Sequence, residues 1–152
     1  MRLLVLGGAG YIGSVVAAEL VAAGHSVTVG DDGSRGHARV EGTEHVEVDL
    51  ADRRGLDALL SRGFDVVLHF AALSIVPESV TDPERYFRAN VVGTLNLLEA
   101  MTAHGTARIV FSSTAAVYGN PEIVPVGEEA PLVPVSPYGS SKLMTEIMLR
   151  AA

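Results

Sequence analysis

Short apolar runs rich in β-branched residues alternate along the chain with longer stretches of helical spacing. They predict strands at Arg2 to Leu6, Ser26 to Val29, His45 to Val48, Asp65 to Phe70 and Arg108 to Ser112. None shows the strict alternation of a half-exposed sheet, so the strands read as covered on both faces. Helices are predicted to start near Tyr11, Asp52, Pro83 and Pro137. Pro83 follows Thr81-Asp82 and Pro137 follows Ser136, each a first-turn proline behind a capping side chain. Gly24 and Gly105 stand where the first and third helices should stop. A β-α-β-α order of this kind implies an α/β fold, a doubly wound parallel sheet with strand order 3-2-1-4-5. Between Gly119 and Pro137 the pattern lapses. There Pro121, Pro125, Pro131, Pro134 and Pro137 accompany Glu122, Glu128 and Glu129, which predicts a long ordered loop or a lid.

Composition narrows the function classes. A chain of 152 residues is one ordinary domain. It has no cysteine, which excludes disulfides, Cys-ligated zinc, iron–sulfur clusters and thiol nucleophiles and fits a reducing, cytoplasmic setting. Eleven Lys plus Arg against eighteen Asp plus Glu give a net charge of −7 without any basic run, so nucleic acid and anionic membranes are disfavoured as partners. The uncharged stretch from Leu3 to Ala18 mimics a secretory leader, but Gly7, Gly8, Gly10 and Gly13 interrupt it. Hydrophobic residues reach 48% and mean hydropathy is +0.32, high enough to suggest surface that needs covering. His25, His37, His45 and His104 show no metal spacing and His69 reads as a packed residue at a strand end, so no metal is assigned. Met101, Met144 and Met148 read as core filler.

Four local patterns carry chemistry. Gly7-Gly8-Ala9-Gly10-Tyr11-Ile12-Gly13 lies between the first strand and the first helix, where glycines let the backbone turn tightly and approach a pyrophosphate held on helix N-terminal amides. Asp31 ends the second strand; a carboxylate there accepts ribose hydroxyls and repels a 2′-phosphate, favouring NAD over NADP. Arg35 keeps NADP open, and Asp32 is a rival for the ribose role that reads first as a solvated loop acid. Asp49 follows the third strand and suits either an adenine amino group or a helix cap. Tyr138-Gly-Ser-Ser-Lys142 places a phenol and an ammonium on one helix face, where the charge favours the phenolate of a general base. Lys142 is the only lysine in the chain, against ten arginines, so this position prefers a compact ammonium to a guanidinium. Finally Ser112-Ser113-Thr114 ends the fifth strand, at the edge where ligands bind in such sheets, although hydroxyls there also satisfy local backbone.

Taken in order, Gly-Gly-Ala-Gly-Tyr-Ile-Gly-Ser, His69-Phe70-Ala71-Ala72, Asn90-Val-Val-Gly-Thr, Ser-Ser-Thr-Ala-Ala-Val-Tyr-Gly and Ser-Pro-Tyr-Gly-Ser-Ser-Lys resemble the extended short-chain dehydrogenase/reductases. Within these, the chain is most similar to the UDP-glucose 4-epimerases. The resemblance implies a Rossmann-like NAD-binding domain over residues 1–152, truncated within the helix of Tyr138 and Lys142, with a C-terminal substrate domain absent. It implies that Gly7, Gly10, Tyr11, Ile12 and Gly13 line the pyrophosphate, Asp31 binds the adenine ribose, and Asp49 and Leu50 flank adenine. Phe70, Ala71 and Ala72 would run along the cofactor with Asn90 and Ser112 near it, and Thr114, Tyr138 and Lys142 would be catalytic. The implied substrate is a UDP-hexose, epimerised at C4 through a 4-keto intermediate; the apolar surplus adds the expectation of a homo-oligomer, a dimer in the first instance. Two departures stand out: Leu6 replaces the Thr usual before the glycines, and Ser74 replaces a lysine found in some epimerases. Ala115-Ala116 lack the acid and base that the related 4,6-dehydratases need to eliminate water. A non-catalytic NAD-binding module and a sugar-nucleotide dehydrogenase or reductase are the alternatives.

Overall fold

A computed structural model describes the whole chain, residues 1–152. It forms two compact units, one of residues 1–72 and 96–112, the other of residues 73–95 and 113–152.

The first unit is built on the central strand β1 (Arg2–Leu6). It pairs in parallel with β2 (Ser26–Asp31) on one side and β4 (Val66–His69) on the other; β3 (Glu44–Glu47) and β5 (Ile109–Phe111) extend the sheet outward. The order is β3-β2-β1-β4-β5, as the alternation of strands and helices predicted. Side chains of β1 alternate between the faces. Leu4 and Leu6 join Leu56, Leu59 and Leu60 of α2 (Arg53–Leu60) and Leu97, Ala100 and Met101 of α5 (Gly93–Ala103). Val5 instead joins Val27, Val29 and Ala17 of α1 (Tyr11–Ala22). Two separate clusters on opposite faces are what a doubly wound sheet requires. Gly24 and Gly105 adopt φ of +82° and +72° just past α1 and α5, the left-handed conformation that ends a helix.

The second unit contains α3 (Val76–Thr81), α4 (Pro83–Tyr86), a π-helical turn (Phe87–Val92), a 3-10 turn (Ala115–Tyr118) and α6 (Pro137–Ala151). Asp82 and Ser136 cap α4 and α6 as predicted, accepting from the amides of Arg85 at 3.3 Å and Gly139 at 3.1 Å. The loop from Gly119 to Ser136 contains neither helix nor strand but folds back on itself: a Cβ on Gly119, at φ +65°, would sit 2.0 Å from the Val133 carbonyl oxygen.

Three expectations change. The helix expected from Pro83 is interrupted by the π turn, where the Asn90 carbonyl accepts from the Thr94 hydroxyl at 2.6 Å and the Thr145 hydroxyl at 3.5 Å; side-chain donors at a backbone acceptor accompany the widened helical register. Met144 is 45% exposed and is not core. Coverage on both faces holds for the central strands but fails at the sheet edge, where Val110 of β5 is 53% exposed. No helix is long and apolar enough to cross a membrane.

Candidate active site

In the first unit the three signature glycines divide their tasks. Gly7 adopts φ +75°, and a Cβ there would lie 2.5 Å from the Ala71 amide nitrogen; a Cβ on Gly13 would lie 2.2 Å from the Gly7 carbonyl oxygen. Both positions are closed to any side chain by the fold itself. Gly10 is different, because a Cβ there would meet only the Gly7 oxygen, at 3.3 Å, so its bare backbone leaves room for an external group. Gly10 also starts α1 without any capping side chain, whereas α2, α4 and α6 begin under Asp52, Asp82 and Ser136. Tyr11 and Ile12 are exposed beside it. An uncapped helix start with space in front of it is suited to an anion.

Asp31 clasps this turn: one carboxylate oxygen accepts from the Ala9 amide at 3.0 Å and the other from the Gly33 amide at 2.9 Å. Each oxygen keeps a lone pair for a ribose hydroxyl. Asp32 instead accepts from the amide and hydroxyl of Ser34 within its loop. Asp49 is exposed and accepts from the Ala51 amide at 2.8 Å, while the cap of α2 is Asp52; Leu50 packs against the core. Phe70, Ala71 and Ala72 leave β4 half-buried, with the Phe70 amide bonded to the Leu6 carbonyl at 2.8 Å and Ala71 against Gly7. The Ser112 amide donates to the His69 carbonyl at 3.1 Å. His69 is buried, its ring tilted against Phe111 at 5.5 Å. Gly36 escaped the sequence reading; a Cβ there would strike the Ala9 carbonyl at 2.4 Å, a contact with no local signature.

In the second unit α6 carries Tyr138 and Lys142, four residues apart, both buried at 9% and 3% exposure. Burial alone pulls Lys142 down from its ordinary 10.5 to about 8. The Tyr138 ring meets Tyr86 edge-on, with centroids 6.4 Å apart and planes at 82°. Thr114 caps the 3-10 turn, its Oγ1 accepting from the Ala116 amide at 3.2 Å, which leaves its hydroxyl hydrogen to donate elsewhere. That turn abuts α6 closely enough that a Cβ on Gly139 would lie 2.6 Å from the Ala116 oxygen. Thr114, Tyr138 and Lys142 therefore belong to one packed assembly. Asn90 is buried and ties α6 to the backbone of Leu73: its Oδ1 accepts from the Leu73 amide at 2.9 Å, and its Nδ2 donates to the Leu73 carbonyl and the Ser141 hydroxyl, each at 3.0 Å. Both amide hydrogens are thus committed within the protein. Tyr86 and Ser141 were not anticipated, because a tyrosine and a serine in helices carry no pattern of their own.

A glycine turn between the first strand and helix of a parallel sheet, with a buried Tyr-x-x-x-Lys pair on a later helix, defines a dinucleotide-fold protein of the short-chain dehydrogenase/reductase type. The chain belongs to the NAD dependent epimerase/dehydratase family, whose sequence model it matches over residues 3–152. The UDP-glucose 4-epimerase of Streptomyces lividans is 51% identical over 153 residues, an alignment covering 97% of this chain and 46% of that protein. The corresponding protein of Corynebacterium glutamicum is 49% identical over 146 residues, covering 94% of this chain and 44% of that one. Among solved structures, the Brucella ovis UDP-glucose 4-epimerase in complex with NAD superposes with a TM-score of 0.96 at 41% identity, covering 99% of this chain and 47% of that one. The chain spans a little under half the length of these relatives.

The lowered pKa of Lys142 carries a stability consequence. The folded chain releases this proton near pH 8 and the unfolded chain near 10.5, so burial of the ammonium costs stability below pH 8 and that cost fades as pH rises between the two values. Urea denaturation of wild type and Lys142→Met from pH 7 to pH 10 should show wild type gaining on the variant above pH 8, by on the order of a few kcal/mol at most. A pH-independent difference would contradict the burial of a titrating amine.

Proposed function

We propose that the chain carries the NAD-binding and proton-transfer part of a sugar-nucleotide 4-epimerase that interconverts UDP-galactose and UDP-glucose through a 4-keto intermediate. The observation that carries this reading is the burial on α6 of Tyr138 and Lys142 against a turn capped by Thr114. The glycine turn fits NAD, since Gly10 offers bare backbone and α1 offers uncapped amides. In this reading Gly7, Gly10, Tyr11, Ile12 and Gly13 hold the pyrophosphate, and Asp31 accepts the adenine ribose hydroxyls and repels a 2′-phosphate. Asp49 and Leu50 flank adenine; Phe70, Ala71 and Ala72 run along the cofactor, with Asn90 and Ser112 nearby. NAD held by these residues would supply the hydride acceptor and donor for the sugar C4.

Tyr138 removes the proton of the 4-hydroxyl and later gives it back. Lys142, protonated below about pH 8, supports the phenolate and bonds the nicotinamide ribose. Thr114 donates its free hydroxyl hydrogen toward the reacting oxygen. A homo-oligomer and a cytoplasmic setting complete the reading. Val92 and Leu95 precede and start α5, Met144 and Ile147 lie three apart on α6, and all four are 44–56% exposed. Sedimentation should show a dimer that Leu95→Glu weakens, and a monomeric wild type would remove that part.

Purified chain given NAD and UDP-galactose should yield UDP-glucose without net NADH. Accumulating NADH would make it a dehydrogenase, and NAD binding without turnover would make it a binding module. Tyr138→Phe should lower turnover at least about a hundredfold while NAD affinity stays near wild type. Normal turnover in that variant would overturn the assignment.

A further inference from the structure

Outside the residues with assigned roles, one side-chain pair ties the segment carrying Thr114 to the helix carrying Tyr138 and Lys142. The Ser113 hydroxyl donates to the Glu146 carboxylate across 33 positions of sequence. Glu146 lies one helical turn beyond Lys142 and is partly buried, its side chain 18% exposed. Its second oxygen accepts from Arg150 at 3.1 Å, which fixes the carboxylate and leaves the first oxygen aimed at Ser113. Three residues further on, Ala116 meets Gly139 beside Tyr138. The segment is therefore pinned to α6 at two points, and Thr114 lies between them.

We propose that Glu146 is a positioning residue, acting through Ser113 to hold the Thr114 hydroxyl where the reaction uses it. What Thr114 does there rests on the epimerase reading; its placement by Glu146 does not. A neutral hydroxyl bound to a partly buried carboxylate is stronger than one bound to a neutral acceptor. Glutamine offers an oxygen to the same hydroxyl, so charge is dispensable and the acceptor is not. Leucine in place of Glu146, or alanine in place of Ser113, releases the first pin and lets Thr114 drift, and a misplacement of about 1 Å can cost roughly a hundredfold in rate.

The Ala116 amide reports the Thr114 hydroxyl directly, because it donates to Thr114 Oγ1. Hydrogen exchange on the 152-residue chain should therefore accelerate at Ala116 by about tenfold or more in Glu146→Leu and Ser113→Ala. Glu146→Gln should retain the protection, as should Arg150→Ala, which keeps the acceptor for Ser113. The amides of β1 serve as the reference for global folding and should be unaffected. In turnover assays Glu146→Leu should lose about tenfold or more in kcat with KM within about twofold, and Glu146→Gln should restore it. Unchanged Ala116 exchange in both Glu146→Leu and Ser113→Ala would overturn the proposal, as would a glutamine variant no better than the leucine one. Absence of UDP-glucose from the wild-type chain would instead overturn the epimerase reading, and the exchange data would still decide the placement.

Discussion

The turn after β1 has no space for a Cβ at Gly7 or Gly13, and the arrangement of the first unit follows from that. A side chain at Gly13 would collide with the Gly7 carbonyl, and one at Gly7 would collide with the backbone of Ala71. With both bare, the chain leaves the central strand, turns beside the end of β4 and enters α1 within five residues. Asp31 then fastens the turn from the end of β2 through the Ala9 amide. The same closeness leaves the start of α1 uncapped and the space in front of Gly10 open. Steric exclusion inside the protein and bare backbone facing outward are two consequences of one glycine pattern.

In the second unit, buried polar side chains fix the geometry. Asn90 takes both backbone groups of Leu73 and reaches Ser141 on α6, while its own carbonyl accepts from Thr94 and Thr145. Tyr86 bonds through its hydroxyl to the amide and carbonyl of Ile75, at 3.0 and 2.8 Å, and sets its ring against Tyr138. Every partner in such a network must be in place, since a buried polar group left unmatched costs about 1–3 kcal/mol. The network is thus more directional than apolar packing and suits a helix face whose phenol and amine must be held in register.

Much of this was legible in the sequence because glycine, proline and capping residues act locally. The five strands, the caps at Asp82 and Ser136 and the helix ends at Gly24 and Gly105 fall where their residue types demand. What escaped depends on partners distant in sequence. The π turn lies where Asn90 meets Ser141 from another helix; α3 is too short to show a period; and Glu146 reads as an ordinary helix acid until Ser113 is seen to meet it. That Tyr138 and Lys142 share one helix four residues apart was readable from spacing, whereas the desolvation of Lys142 required the fold. Asn90 was read as a neighbour of the cofactor, and its two committed amide hydrogens show a further duty inside the protein.

The central claim is that the glycine turn and Asp31 form a dinucleotide site selective against a 2′-phosphate. Its most direct test is a nuclear magnetic resonance titration of the isotopically labelled chain with NAD and, separately, NADP. The account predicts that NAD shifts the amide signals of Gly10, Tyr11, Ile12 and Gly13 in a saturable way, while NADP at equal concentration shifts them far less. No response to NAD at those amides, or an equal response to both dinucleotides, would contradict it.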